Sequence, residues 1–275
     1  MTITSTQLDY PARLRDRLSA IRTFAIDMDG TIYLGQELFP FTRRFLDELP
    51  ARGRDFLFVT NNSSRSASDY RLKFRRMNLE APIQKIYTSG DATIEYLRQS
   101  NLGRRLFVLG TRSLQESFLE ARFEIDNVDP EVVVLGFDTT LSYEKLDAAA
   151  RHIRRGLPFI ATHPDLNCPI EAGDMMLDCG AMAAALSAAT GRKPFYIGKP
   201  HAPMIQGILR RTGCRPEEIA FIGDRLTTDI QAGINHGIFS ILVLTGETRR
   251  EDLSASTIQP DLAVERAIDV LSYLP

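Results

Sequence analysis

The sequence Phe24-Ala25-Ile26-Asp27-Met28-Asp29-Gly30-Thr31 joins a short apolar run to two acidic residues and a glycine. The apolar run predicts a buried strand, and Gly30 permits the sharp turn that follows it. Asp27 and Asp29 come just after the strand, where side chains no longer alternate between faces, so both carboxylates can reach one ligand. The first could act as a nucleophile and the second as a proton donor to a leaving oxygen. Taken alone, the motif also fits an Asp-Gly turn with a capping aspartate.

Short apolar runs of this kind alternate with amphipathic stretches along nearly the whole chain. The alternation is typical of an α/β fold, in which each strand of a mainly parallel sheet is followed by a helix. The predicted strands, chosen for their β-branched and aromatic residues, are Phe24–Ile26, Phe56–Val59, Ile86–Tyr87, Leu106–Leu109, Val132–Leu135, Phe159–Ala161, Phe195–Ile197, Ile219–Ile222 and Ile241–Leu244.

Four of the predicted strands are followed by a side chain suited to phosphate chemistry. These side chains are Asp27, Thr60, Lys199 and Asp224. In an open parallel sheet the carboxyl ends of the strands lie along one edge, so we expect the four side chains to converge there. The long segment between Thr60 and Lys199 has strand and helix signals of its own, which predicts a second domain inserted into the first.

The acidic residues at the strand ends indicate a metal site. Asp27 and Asp29 would repel each other without a cation, and Mg²⁺ is suitable because it binds one or two carboxylates together with waters and phosphate oxygens. Asp224 could be a further ligand, and Asp229 could orient Lys199 or a metal-bound water. An aspartate at a helix start is also a common capping residue, which is the alternative for Asp229.

Phosphate-binding groups follow two other strands. Thr60, Asn61 and Asn62 offer a hydroxyl and two amides that can donate hydrogen bonds to phosphate oxygens. Lys199 places an ammonium group where it could pair with Asp27 and with a transferring phosphoryl group. Taken alone, the first three also fit loop and capping residues, and the lysine also fits a surface side chain beside a turn.

The composition excludes several classes of protein. The chain has 275 residues, with 33 Lys and Arg against 35 Asp and Glu and a formal net charge of −2, which argues against a nucleic-acid partner. No apolar run approaches the roughly 20 residues of a membrane-spanning helix, so we expect no membrane partner and a cytoplasmic location. One short basic cluster is interpreted as a solvated helix face. It comprises Arg71, Lys73, Arg75 and Arg76.

Together the motifs resemble those of the haloacid dehalogenase superfamily of aspartate-nucleophile phosphotransferases. The four motifs of that family occur here in order as D-M-D-G-T, T-N-N, K-P and G-D-R-L-T-T-D. In finer detail the chain looks like the class IIA branch, the NagD-like and 4-nitrophenylphosphatase-like proteins. The stretches that carry this finer resemblance are FVTNNS at 58–63, IATHPD at 160–165, CGA at 179–181 and GRKP at 191–194.

The resemblance implies a Rossmann-like core with a parallel sheet, formed by residues 1–102 and 193–275. It also implies an inserted α/β cap domain of the class IIA (C2) type at residues 103–192, and the domain edges drawn from the sequence pattern alone, near Gly103 and Arg192, agree with it.

The resemblance further implies a role for each motif residue. Asp27 would be the nucleophile and Asp29 the general acid and base, while Thr60 and Lys199 would bind phosphate. The predicted metal site comprises Asp27, Asp29, Asp224 and Asp229, with Asp29 expected to contribute its backbone carbonyl. Asp29 must carry a proton in the first step, which requires a raised pKa, and neighbouring carboxylates act in that direction.

The cap loop from Thr162 to Gly180 is expected to lie against the organic part of the substrate. The side chains predicted to face the core are His163, Asp165 and Cys168. The loop holds no aromatic ring for stacking and no arginine to clamp a bisphosphate, which favours a small leaving group. A loop packed on itself is the alternative for His163 and Cys168. A homodimer that pairs through the cap is a further expectation from the resemblance.

These expectations combine into one predicted function, a Mg²⁺-dependent phosphomonoesterase that forms a phosphoaspartate on Asp27. Its substrates would be small organic phosphates such as sugar phosphates, nucleoside monophosphates, phosphoglycolate or 4-nitrophenyl phosphate. The alternative is a sensor that binds a phosphate ligand on the same fold without turnover, and the intact pair Asp27 and Asp29 counts against it. A dehalogenase fits less well, because Asp29 and Asp224 suit phosphoryl transfer and a metal rather than halide departure.

Overall fold

The computed structural model describes residues 12–169 and 174–274. Within these residues every predicted strand is present, and several short strands are added. In chain order the strands are β1 (Thr23–Ile26), β2 (Tyr33–Leu34), β3 (Glu37–Leu38), β4 (Asp55–Thr60), β5 (Ile86–Thr88), β6 (Arg105–Leu109), β7 (Glu124–Ile125), β8 (Val132–Leu135), β9 (Phe159–Ala161), β10 (Asn167–Pro169), β11 (Met175–Leu177), β12 (Phe195–Tyr196), β13 (Ile219–Gly223), β14 (Phe239–Val243) and β15 (Leu262–Val264).

Helices follow most of the strands, as an α/β fold requires. The α-helices of the described residues are α1 (Ala12–Ala20), α2 (Thr42–Ala51), α3 (Ala67–Arg76), α4 (Ser89–Gln99), α5 (Arg112–Glu120), α6 (Tyr143–Arg154), α7 (Cys179–Thr190), α8 (Ala202–Thr212), α9 (Gln231–His236) and α10 (Arg250–Ala255). A π-helical turn at Leu226–Ile230 precedes α9. None of the helices in this described part is both long and apolar enough to cross a membrane.

The first sheet has six strands in the order β15-β14-β13-β1-β4-β5, and every neighbouring pair is parallel. All four residues of β1 are buried. Phe24 and Ile26 belong to the apolar cluster on one face of the sheet, whereas Ala25 belongs to the cluster on the other. A strand covered on both faces has a continuous apolar sequence rather than an alternating one, and this explains the run at 24–26.

The second sheet is built from the inserted segment, in the order β12-β9-β8-β6-β7, and is also parallel. One of its faces packs against α6 and α7, where Leu135, Ile153 and Leu186 are buried in one cluster. The prediction of a second α/β unit inserted into the first is therefore matched by a separate sheet.

This second sheet extends a few residues past the predicted domain edge. Strand β12 pairs with β9 of the inserted unit and not with the first sheet. Residues 193–196, predicted to belong to the core, therefore lie with the inserted sheet. The strand before Lys199 therefore does not end on the edge shared by the strands before Asp27 and Asp224, in contrast to the prediction.

Two hairpins and two edge strands were not predicted from the sequence. The hairpins are β2–β3 and β10–β11, both antiparallel, and the edge strands are β7 and β15. Each of these strands has two or three residues, which is too short for an alternating pattern to be recognised.

The two sheets share one buried apolar cluster. Val59 of the first sheet and Val134 of the second belong to it, together with Leu114 of α5 and Met204 of α8. Because this cluster is continuous, the inserted unit packs on the core through side chains that are shielded from water.

Candidate active site

Three predicted site residues lie at the carboxyl ends of adjacent strands in the first sheet. Asp27 follows β1, Thr60 is the last residue of β4, and Asp224 directly follows β13. Strands β4 and β13 are the two neighbours of β1, and the backbone N–H of Asp27 donates to the carbonyl of Ile222 in β13 over 2.8 Å. The strand order thus brings the three side chains to one edge, as the sequence pattern predicts.

Lys199 reaches the same point from the other sheet. Its Nζ lies 2.5 Å from Oδ1 of Asp27 and 2.6 Å from Oδ1 of Asp229, and its side chain is only 2% exposed. Burial alone would lower the pKa of Lys199, but the charges and hydrogen bonds of Asp229 and Asp27 raise it above its usual range. The lysine therefore remains charged between the two carboxylates.

Asn61 holds the backbone of Lys199 in place. Its Oδ1 accepts from the backbone N–H of Lys199 (2.8 Å), and its Nδ2 donates to the carbonyl of the same residue (3.0 Å). The Nδ2 group also donates to Asp165 of the cap loop (3.1 Å). Since these bonds occupy both ends of the amide, the side chain of Asn61 positions Lys199, and a role of Asn61 in binding phosphate stays a prediction.

Thr60 and Asn62 form a short polar turn beside the cluster. The backbone N–H of Asn62 donates to Oγ1 of Thr60 (3.1 Å), and Oδ1 of Asn62 accepts from the backbone N–H of Ser64 (2.9 Å). The Nδ2 group of Asn62 makes no hydrogen bond within residues 12–169 and 174–274. That group remains available to a ligand.

Asp27, Asp224 and Asp229 form an acidic cluster, with one oxygen of each within 4.8 Å of the others. Oδ2 of Asp224 accepts from the backbone N–H of Glu247 (2.6 Å), whereas its buried Oδ1 has no hydrogen-bond partner among the described residues. Burial, followed by the charge of Asp229, raises the pKa of Asp224 to about 7. Burial also raises the pKa of Asp27, against the attraction of Lys199. An orphaned oxygen among three carboxylates fits a hard divalent cation, which would satisfy it.

Two glycines allow the backbone to approach Asp224 closely. Gly30 has a φ of +76°, and a Cβ atom there would lie 2.5 Å from Oδ2 of Asp224. A Cβ atom on Gly246 would lie 2.0 Å from the same oxygen. Any side chain at either position would displace the carboxylate, so the Asp-Gly turn is part of the acidic site.

Asp29 stands apart from the acidic cluster. Its side chain is 47% exposed, and its Oδ2 lies 3.9 Å from Nζ of Lys73. The loss of water in the cleft raises the pKa of Asp29, although Lys73 and then Arg225 act to lower it. The direction agrees with the need for a proton on Asp29. The largest cause is the partial loss of surrounding water, however, and not the neighbouring carboxylates expected from the sequence.

His163 lies inside the cap and does not face the core. It is fully buried, its Nε2 lies 2.8 Å from Oδ1 of Asp178, and its Nδ1 lies 2.9 Å from the hydroxyl of Thr162. Burial disfavours the charged imidazole, but the charge and hydrogen bond of Asp178 raise the pKa of His163 overall. The prediction of His163 as a substrate contact is therefore wrong, and the alternative of a loop packed on itself is correct for this residue.

Of the three predicted cap-loop residues, Asp165 is the one that hydrogen-bonds a core side chain. Besides its hydrogen bond with Asn61, it lies 3.6 Å from a guanidinium nitrogen of Arg225, which also pairs with Glu247 at 3.0 Å. With His163 and Asp178 it forms a second group of metal-type ligands. All three already have partners in the protein, so this group is explained without an ion.

Cys168 lies half-buried in β10. Burial, followed by the charges of Asp178 and Asp29, raises the pKa of its thiol to about 12. At neutral pH the thiol is uncharged. The role of Cys168 as a substrate contact stays a prediction.

Lys73 and Arg225 were not recognised as site residues from the sequence. Lys73 is 7% exposed, so its assignment to a solvated helix face is wrong, whereas Arg75 and Arg76 of the same cluster are exposed. A signal was present, because Lys73 follows Tyr70 by three residues and both therefore lie on the buried face of α3. Arg225 lies inside the last motif, but its pairing with the cap loop depends on the tertiary structure.

Comparisons with known proteins agree with this geometry. Two family models match, a haloacid dehalogenase-like hydrolase over residues 24–124 and a HAD-hydrolase-like family over residues 196–270. An acid sugar phosphatase of Staphylococcus aureus is 35% identical over 254 residues, which cover 92% of this chain and 98% of the relative.

Solved structures match over the same extent. A 4-nitrophenylphosphatase from Thermotoga maritima superposes with a TM-score of 0.90 at 42% identity, covering 93% of this chain and 98% of that one. NagD from Escherichia coli K-12 gives a TM-score of 0.83 at 30% identity, covering 90% and 98%. The match therefore includes both the core and the inserted unit.

Proposed function

The chain belongs to the haloacid dehalogenase-like hydrolase family, as a phosphatase of the NagD type, and from this premise we propose that it hydrolyses small organic phosphomonoesters through a phosphoaspartate on Asp27. The observation that carries the proposal is the position of Asp27, held by Lys199 at one oxygen and grouped with Asp224 and Asp229 in the acidic cluster. Asp29 lies two residues further on, outside the acidic cluster.

In the first step Asp27 acts as the nucleophile. Lys199 binds Oδ1, and Oδ2 has no hydrogen-bond partner among the described residues, so Oδ2 attacks phosphorus. The ester P–O bond breaks as the new P–O bond forms, and the proton of Asp29 passes to the departing alkoxide or phenoxide. The raised pKa of Asp29 supports its holding that proton.

In the second step the phosphoaspartate is hydrolysed. Asp29, now a carboxylate, takes a proton from a water molecule, whose oxygen attacks phosphorus. The bond between phosphorus and Asp27 breaks, inorganic phosphate leaves, and the carboxylate of Asp27 returns to its pairing with Lys199. Asp29 ends the cycle protonated, so the proton balance closes.

The charge of the phosphoryl group would be balanced by fixed donors and by a cation. Lys199 and the free amide of Asn62 provide the donors. Asp27 and Asp224 would hold a divalent metal, which we propose to be Mg²⁺, with the backbone carbonyl of Asp29 as a further ligand. When bound, it would neutralise the phosphate oxygens and the acidic cluster. Asp229 is committed to Lys199, so we assign it to orienting that lysine.

The proposal is tested by hydrolysis of 4-nitrophenyl phosphate. Asp27→Asn removes the nucleophile and is expected to lower kcat at least 1,000-fold, about 4 kcal/mol of barrier, and EDTA is expected to abolish wild-type activity until Mg²⁺ is restored. Asp129→Asn is the matched control, because that carboxylate is 83% exposed on the cap. Retained turnover in Asp27→Asn or in EDTA would contradict the mechanism. Tight binding of phosphate esters without turnover by the wild type would favour the sensor alternative.

The cap loop from Thr162 to Gly180 favours small leaving groups, because its sequence contains no aromatic or arginine side chain. Pairing of two copies through the cap and a cytoplasmic location stay predictions.

A further inference from the structure

Lys73 is a buried cation with only distant partners among the described residues. It projects from α3, is 7% exposed, and its Nζ lies 3.8 Å from the centroid of the Tyr33 ring. Its nearest carboxylate oxygen, on Asp29, is 3.9 Å away. Within residues 12–169 and 174–274 the ammonium group makes no hydrogen bond, although it has three N–H donors. A buried ammonium with three unused donors is costly unless a ligand satisfies it.

Two buried or half-buried cations beside the active site, Lys199 and Arg225, are already paired. Lys199 donates to two aspartates at 2.5 and 2.6 Å. Arg225 pairs with Glu247 at 3.0 Å and with Asp165 at 3.6 Å. Lys73 differs from both, because its nearest carboxylate, that of Asp29, lies at 3.9 Å, beyond hydrogen-bond distance.

We propose that Lys73 is a specificity-determining residue that binds an anionic group on the alcohol part of the substrate. The enzyme then prefers phosphomonoesters whose leaving group carries a carboxylate close to the ester oxygen. This inference rests on the proposed function, since it takes Asp29 as the group that touches the ester oxygen.

The distances allow this contact. A proton donor lies about 2.6–3.2 Å from the oxygen that it protonates, and Lys73 lies 3.9 Å from Asp29. The ammonium group is therefore at most about 7 Å from the ester oxygen. In a leaving group with a carboxylate on the carbon next to the ester carbon, the carboxylate oxygen lies about 3 Å from the ester oxygen, since the bonds between them are about 1.2–1.5 Å long. The remaining gap suits a charge-assisted hydrogen bond.

A matched pair of substrates separates charge from size. Phosphoglycolate and 2-hydroxyethyl phosphate have the same chain length, but only the first carries a carboxylate. With Mg²⁺ present we expect wild-type kcat/KM to be at least tenfold higher for phosphoglycolate. Lys73→Met should reduce this ratio at least tenfold, mainly through KM, whereas Lys73→Arg should keep a preference for phosphoglycolate.

Lys85→Met is the matched control. Lys85 also lies over an aromatic ring, that of Phe56 at 5.6 Å, and pairs with Asp55, but it takes no part in the site. The Lys85→Met variant is expected to leave the ratio of kcat/KM for phosphoglycolate and 2-hydroxyethyl phosphate unchanged. Should Lys73→Met fail to fold, as judged by its thermal melting curve, Lys73→Gln replaces it with the same criterion.

The outcomes distinguish this inference from the function on which it rests. A wild-type enzyme that hydrolyses 4-nitrophenyl phosphate but prefers phosphoglycolate less than tenfold overturns the role of Lys73 alone. So does an equal loss on both substrates in Lys73→Met, which indicates an effect on Asp29 or on packing. If the wild type hydrolyses none of the three esters, the proposed function fails first.

Discussion

Replacing Asp224 with Asn should make the metal-free protein more stable at alkaline pH and should remove its response to a divalent cation. The reason is that Asp224 holds a buried oxygen with no partner among the described residues, in a cluster with Asp27 and Asp229. Without a cation, ionisation of this buried carboxylate destabilises the folded state relative to the unfolded state. The asparagine keeps the shape of the side chain and removes the charge.

The magnitude follows from the pKa of Asp224, which rises from 3.8 to about 7 on folding. The folded state therefore binds this proton more tightly than the unfolded state, so the associated stability is present below pH 3.8 and is lost as the pH rises through about 7. At about 1.4 kcal/mol for each tenfold change in proton affinity, the difference between the two pKa values corresponds to about 4 kcal/mol above pH 7. The amide introduced by Asp224→Asn would lack an acceptor and offset about 1–3 kcal/mol of this.

The assay is urea denaturation in EDTA at pH 5 and pH 8. We expect the stability of Asp224→Asn relative to wild type to increase by about 2–3 kcal/mol between the two pH values, which is a gain of several degrees in Tm at pH 8. Mg²⁺ should stabilise the wild type and leave the variant unchanged. Asp129→Asn, on the exposed cap surface, should show neither effect.

Two results would refute this reasoning. A variant less stable than wild type at pH 8 in EDTA would mean that the ionised carboxylate of Asp224 does not destabilise the folded protein. If the variant gains the same free energy of unfolding at pH 5 and at pH 8, the gain comes from packing and not from the removed charge.

Two further substitutions test the supports of the site. Asn61→Ala removes both side-chain hydrogen bonds to the backbone of Lys199. We expect kcat for 4-nitrophenyl phosphate to fall about 10- to 100-fold, about 1.4–2.7 kcal/mol of barrier, with a smaller change in KM. Asn235→Ala, on an exposed turn of α9, is the control and should match wild type. His163→Ala leaves Asp178 buried without its partner and should cost about 3 kcal/mol in urea denaturation with KM within twofold of wild type. Because the pKa of His163 is raised on folding, its contribution is full below about pH 6.5 and declines as the pH rises through the folded-state value, so the stability difference should be larger at pH 6 than at pH 9; a difference that grows with pH would contradict the charged pair.

The residues predicted best from the sequence are those whose position depends on the parallel sheet alone. Asp27, Thr60 and Asp224 follow apolar runs, and the ends of adjacent parallel strands must share an edge. Strand recognition places all three at one edge, and the order β13-β1-β4 makes them neighbours there. Lys199 also lies at this point, but its preceding strand β12 belongs to the inserted sheet, so the shared edge of the first sheet does not explain its position.

The residues predicted less well depend on which way a side chain points within a loop or on a helix. His163 comes two residues after the end of β9, yet it turns into the cap to pair with Asp178, a partner fifteen residues away. Lys73 was grouped with Arg75 and Arg76 by charge, although its spacing from Tyr70 and Phe74 places it on the buried face of α3. Charge composition outweighed helical periodicity in that prediction, and periodicity was the better guide.

The position of Lys199 shows why the inserted unit matters to chemistry as well as to substrate choice. Lys199 follows β12, which lies at the edge of the second sheet. Its backbone N–H donates to the side chain of Asn61, which follows β4 of the first sheet. Asp165 of the cap loop bonds the same side chain, so the lysine that holds Asp27 is located by both units together. Because Asp165 bonds Asn61 directly, a displacement of the cap loop would disturb Asn61 and through it Lys199. We therefore expect substitutions in the cap loop at Asp165 to lower kcat, whereas substitutions at Lys73, which lies on the core, alter the choice of substrate.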